Sequence, residues 1–166
     1  KQQMGNIVLI GMPGTGKSLM GKLLAELTGK TLQDTDAKIE EEAKITIPEI
    51  FEKEGESGFR DRESAICKKL GKERNLIIAT GGGAILRPEN VDALRQNGTL
   101  VHITRSIDKL PTRGRPLSKN IETLKKMEAQ RMPLYKAAAD ITFRNNYTCS
   151  RKKLRQRVTT YILEKL

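Results

Sequence analysis

Eight consecutive residues, Gly11-Met-Pro-Gly-Thr-Gly-Lys-Ser18, limit what this chain can fold into more than anything else in it. They satisfy the pattern G-x-x-x-x-G-K-[ST] at every fixed position. Residues 7–10 before them form a short apolar run that stops at Gly11, as a strand buried on both faces does. After them Leu19, Met20, Leu23, Leu24 and Leu27 share one face of a helix over 17–27. A strand, a glycine-rich turn and a helix start make a cradle for phosphate. Glycines let backbone N–H groups turn inward, and the helix adds unpaired N–H groups and the positive end of its dipole. Gly14, Thr15, Gly16, Lys17, Ser18 and Leu19 are the expected nucleotide-binding residues, with Lys17 on the β- and γ-phosphates and the Ser18 hydroxyl on Mg²⁺.

The rest of the chain alternates in the same way. Residues 76–79 and 99–104 read as buried strands, 141–143 as a short one, and a weak one precedes Asp34. Helices are expected at about 36–43, 48–54, 58–71, 88–96, 120–137 and 150–164, with Pro48 and Pro88 in first turns. Such alternation specifies an α/β fold with a parallel sheet and a ligand site at the carboxyl ends of its strands. At 166 residues one domain is expected, spanning 1–166. Hydrophobic residues at 37% against 31% charged argue against a disordered chain. No apolar run approaches the ~20 residues of a membrane helix. The sequence reads as one without a secretory leader, and its two cysteines, Cys67 and Cys149, have neither disulfide-framework nor metal-ligand spacing. A cytoplasmic location is expected.

Net charge is +11 and unevenly spread. Residues 1–100 hold 15 basic and 15 acidic side chains; residues 101–166 hold 16 and 5. A field of that kind attracts polyanions, whether nucleic acid or phosphorylated small molecules.

Further blocks narrow the choice. Asp34-Thr-Asp36 follows the first helix. Gly55-Glu-Ser-Gly-Phe-Arg60-Asp-Arg-Glu63 comes next, then Ala79-Thr-Gly-Gly-Gly83 at the end of a strand, then Arg113-Gly-Arg-Pro-Leu117, then Arg131-Met-Pro-Leu-Tyr135. In this order and spacing the set resembles the shikimate kinase family, from Ile7 to about Ile141. The resemblance implies a P-loop kinase fold of the nucleoside monophosphate kinase type. That fold has three α/β/α layers around a five-stranded parallel sheet, a substrate-binding region at about 36–62 and a short mobile lid at about 109–119. It implies transfer of phosphate from ATP to the 3-hydroxyl of shikimate, with Mg²⁺, in the pathway to chorismate and the aromatic amino acids.

By the same resemblance Arg60 and Arg131 hold the shikimate carboxylate, a task suited to guanidinium forks. Asp36 binds substrate hydroxyls and is the candidate proton acceptor, which requires hydrogen-bond reach. Asp34 matches the residue that holds Mg²⁺, through water. Gly81, Gly82 and Gly83 offer N–H groups and close approach to the ring. Arg115 matches the lid arginine that, with Lys17, neutralises charge on the transferring phosphoryl group. Arg113 is expected over the adenine. The catalytic set is therefore Lys17, Asp36 and Arg115.

Two departures stand out: the lid segment is shorter than is usual in the family, and Leu19 replaces a hydroxyl residue. The family's second adenine-side basic residue has no matching position; Asn145, Asn146 and Arg151 are its nearest candidates. The competing readings are another small-molecule kinase, for gluconate or a nucleoside monophosphate, and a nucleotide-dependent nucleic-acid binder using the basic run 151–157. The paired arginines and the triple glycine oppose the first. The second finds only 4% aromatic residues for base stacking. The expected partners are ATP and shikimate, without nucleic acid or membrane, for a monomer.

Overall fold

The computed structural model describes residues 5–110, 121–146 and 149–166. Arg113, Arg115 and nearly all of the expected lid lie outside the described residues. Five strands, β1 (Asn6–Ile10), β2 (Thr31–Asp34), β3 (Leu76–Ala79), β4 (Gly98–Thr104) and β5 (Ile141–Arg144), form one parallel sheet in the order β2-β3-β1-β4-β5. Between and after them run α1 (Lys17–Thr28), α2 (Thr35–Ala43), α3 (Ile47–Gly71), α4 (Pro88–Arg95), α5 (Ile121–Ala138) and α6 (Arg151–Tyr161).

The central strands are apolar throughout because both faces are covered. Val8, Ile10, Ile78 and Leu100 point to one face, where Ile50, Phe59, Ile66 and Leu70 of α3, Leu94 of α4 and Leu124 and Tyr135 of α5 pack. Ile7, Leu9, Ile77, Val101 and Ile103 point to the other, against Met20, Leu23 and Leu24 of α1 and Val158 of α6. The expected three layers are present, and each expected strand and helix falls within a few residues of its place. The stretches read as separate helices at 48–54 and 58–71 are the two helical halves of α3, on either side of a kink. Gly55 separates them with φ 71° and ψ −177°. The start of α3 is fixed by a capping box in which Thr46 Oγ1 accepts from the Glu49 N–H and the Glu49 carboxylate accepts from the Thr46 N–H.

Register places the functional loops side by side. Leu9 lies opposite Ala79, Ala79 opposite Asp34, and Ile10 opposite His102. The loops after β1, β2 and β3 therefore leave one edge of the sheet at the same level. The chain reverses its winding at β1, between β3 and β4, which is where such sheets open a crevice for ligands. Among the described residues no helix is long and apolar enough to cross a membrane.

Candidate active site

The crevice is a cavity of about 580 Å³ at that edge. Its floor on one side is the loop from Gly11 to Ser18. α1 begins at Lys17 behind Gly16, which has φ 95° and offers no side-chain cap. The first N–H groups of α1 are therefore left for an anion. Lys17 Nζ donates to the carbonyls of Gly11 (2.7 Å) and Met12 (2.8 Å), so its ammonium spans the loop's mouth. Leu19, with 54% of its surface exposed, stands at the cavity rim where a hydroxyl residue was the expected family feature.

Asp34 ends β2 and serves two neighbours. Its Oδ1 accepts from the N–H groups of Asp36 (2.9 Å) and Ala37 (3.2 Å), capping α2. Its Oδ2 accepts from Ser18 Oγ at 3.4 Å. A hydroxyl and a carboxylate oxygen side by side at the phosphate loop fit Mg²⁺, a hard cation that takes few protein oxygens and completes its shell with water and phosphate. Among the described residues no cluster of three or more His, Cys, Asp or Glu side chains forms a fuller metal cage.

Asp36 faces the cavity two residues on. Burial, reinforced by the negative charge of Asp34, pushes its carboxyl up to about 6, against the pull of Lys17 and Arg60. Its Oδ1 is buried with no hydrogen-bond partner among the described residues. The same holds for Oε2 of Glu63, a fully buried carboxylate also raised by desolvation. Both oxygens converge on Gly81: a Cβ there would lie 2.8 Å from Asp36 Oδ1 and 3.2 Å from Glu63 Oε2. Two acceptors without donors, in one pocket, are suited to a polyhydroxylated ligand.

The two candidate carboxylate-binding arginines meet on the glycine loop. Arg60, from α3, is buried and donates through Nη1 to Glu63 Oε1 at 2.8 Å. A Cβ on Gly83 would stand 2.4 Å from that same Nη1. Arg131, from α5, is also buried, and a Cβ on Gly82 would stand 3.1 Å from its Nη1. Successive Cα atoms are about 3.8 Å apart, so two guanidinium groups arriving from different helices flank one spot. Bare glycines leave them the room. The Gly81 N–H, expected to face the ligand, instead donates to Thr35 Oγ1 at 3.1 Å, so Gly81 contributes space. Tyr135, buried beneath the loop, donates its hydroxyl to the Gly82 carbonyl. Ile47, Phe51, Phe59 and Met127 complete the wall with apolar surface.

Thus the structure brings Lys17, Ser18, Asp34, Asp36, Arg60, the three glycines and Arg131 around one cavity. The sequence reading missed Glu63, Thr35 and Tyr135. Glu63 had a signal, since it lies three residues from Arg60 on one helix face. His102 is a packing residue: it is buried, stacked on Tyr135 at 4.9 Å, and held down to about 4 mainly by desolvation. Cys67 is a buried core residue. The basic run on α6 is partly tied up at the surface, with Arg151 and Arg155 both pairing with Glu26 (2.9 and 3.0 Å).

Comparison with known proteins gives this geometry a lineage. A family model described as shikimate kinase matches residues 13–166. The shikimate kinase of Nitrosomonas europaea is 46% identical over 145 residues, covering 82% of this chain and 69% of that protein. That of Chromobacterium violaceum is 40% identical over 145 residues, covering 82% and 79%. Among solved structures, shikimate kinase from Acinetobacter baumannii in complex with shikimate superposes with a TM-score of 0.89 at 36% identity, covering 98% of this chain and 95% of that one. The Aquifex aeolicus shikimate kinase gives 0.81 at 30% identity, covering 96% and 95%. A family match over nearly the whole chain and close relatives in both sequence and fold converge on one conclusion: this chain belongs to the shikimate kinase family.

Proposed function

We propose that this chain transfers the terminal phosphoryl group of ATP to the 3-hydroxyl of shikimate, giving shikimate 3-phosphate and ADP. The observation that carries the reading is the sharing of one cavity by the phosphate loop and by two buried guanidinium groups on a glycine loop. Each end suits one anion, and the space between them suits the transfer.

In this reading the uncapped start of α1, Gly14, Thr15, Gly16 and Lys17 hold the triphosphate, with Leu19 beside it. Ser18 and Asp34 hold Mg²⁺, Asp34 through water. When bound, the metal neutralises charge on the phosphate oxygens. Arg60 and Arg131 take the shikimate carboxylate, and Gly82 and Gly83, without side chains, leave the two guanidinium groups room to reach it. Asp36 and Glu63, each with an acceptor oxygen that lacks a donor among the described residues, take hydroxyls. Asp36 accepts the proton of the attacking hydroxyl, because its raised affinity for protons makes it a better base than an ordinary carboxylate. Arg115 brings the second cation to the transferring group and Arg113 covers the adenine; both roles rest on the motif resemblance. The same reading has a monomer working in the cytoplasm, where its two free cysteines stay reduced.

A coupled assay of ADP release with and without shikimate tests the proposal. Release should depend on shikimate, and gluconate or nucleoside monophosphates in its place should be slower by orders of magnitude. Comparable turnover with any of them would displace shikimate as the acceptor.

A further inference from the structure

The phosphate loop is gripped by a residue that lies in none of the sequence blocks. Asn145 follows β5, and its backbone N–H donates to the Thr104 carbonyl at 2.7 Å, extending the pairing with β4. Its side-chain Nδ2 donates to the carbonyl of Thr15 at 2.8 Å, across 130 residues of sequence. The same nitrogen lies where Gly16 would carry a side chain: a Cβ there would be 2.7 Å away. Gly16 is thus bare both because its φ is 95° and because Asn145 fills the space beside it.

Three of the loop's other carbonyls are held from within. Gly11 and Met12 accept from Lys17, Met12 also from Thr15 Oγ1, and Gly16 accepts from the Met20 N–H. The Thr15 carbonyl is held from outside. It shares a planar trans peptide unit with the Gly16 N–H, so the two point in opposite directions. Gly16 lines the cavity and Asn145 does not. Drawing the carbonyl toward Asn145 therefore turns the Gly16 N–H away from Asn145.

We propose that Asn145 is a positioning residue for the nucleotide. Its amide locks the Thr15–Gly16 peptide in the orientation that presents the Gly16 N–H to a phosphate oxygen. This rests on the reading of the loop as the ATP site. Without the amide the peptide can rotate, and each binding event must fix it again.

Asn145→Leu keeps the bulk and removes the donor; Asn145→Ala only removes atoms and serves if leucine is not accommodated. Calorimetric titration with ADP and Mg²⁺, plus steady-state kinetics, would be run on both and on the unaltered chain. The expected result is an ADP Kd and an ATP KM raised about tenfold, the scale of one lost hydrogen bond. The shikimate KM and kcat should stay near their unaltered values. A purely structural role would raise both KM values together, and that outcome, or an unchanged ADP Kd in both variants, overturns the proposal alone. If the unaltered chain binds no ADP, or if Lys17→Ala leaves ADP binding intact, the nucleotide site itself is misplaced and the proposal falls with it.

Discussion

The two oxygens of Asp34 face different helices, one capping α2 and the other meeting Ser18 at the head of α1. That double use typifies the site: its polar groups are held by neighbours whose removal would be felt beyond the ligand. Arg60 shows the consequence for mutagenesis. Deleting its side chain would leave the fully buried Glu63 without its 2.8 Å partner, and breaking a buried pair costs about 3–5 kcal/mol. Arg60→Lys is the cleaner probe, since it keeps a cation but loses the planar fork. The shikimate KM should rise about tenfold or more, with the ATP KM unchanged; a rise confined to ATP would place Arg60 at the wrong end of the cavity. Asp36 tests burial. In the fold it keeps its proton up to about pH 6, whereas the ordinary value is 3.8. Its contribution to stability is therefore full below about pH 4 and is lost as the pH rises through about 6. Melting of the metal-free, unliganded protein should show Asp36→Asn more stable than the unaltered chain at neutral pH, by about 2–4 °C for each kcal/mol relieved. The gap should close on acidification toward pH 4, and coincident curves at neutral pH would contradict a desolvated Asp36. Lys17, Ser18 and Asp34 were legible in the sequence because local motifs specify them. The contacts of Thr35 and Tyr135, and the grip of Asn145 on the phosphate loop, were not, because each acts on a backbone group 46, 53 or 130 residues away.

At the scale of elements, the split in α3 was readable and its geometry was not. Gly55 falls in the gap between the two helices expected from periodicity, yet nothing in the pattern indicates that the chain passes it at φ 71°, ψ −177°. That region of backbone space is essentially reserved for glycine. A Cβ at Gly55 would meet nothing within 4 Å, so conformation and not crowding sets the cost of replacing it. Gly55→Ala should lower stability by about 1–3 kcal/mol, visible as a lower Tm. An unchanged Tm would mean that the break is not enforced by the backbone. The break also divides labour, since Ile47, Pro48 and Phe51 line the cavity from before it and Arg60 and Glu63 from after it. Among the strands, β2 was the faintest in the sequence because it lies at the sheet's edge, where its residues are half-buried or exposed and need not be apolar.

For the molecule as a whole, charge was fully legible but its placement was not. The excess of eleven positive charges lies beyond residue 100, while the acidic side chains of the site come from before it. Both proposed substrates are anions, so the field should draw them in over a distance set by salt. Raising ionic strength from about 0.05 to about 0.3 M should lower kcat/KM for both, with kcat less affected. Salt-independent kcat/KM would remove the field from any part in capture. The long reach of Asn145 has a consequence for how the protein is made. The phosphate loop leaves the ribosome well before the amide that seats it, which lies 130 residues further along the chain. A nascent chain stalled before β5 would carry an intact loop sequence without its outside anchor, so its hold on ADP should tighten only when that strand joins the sheet.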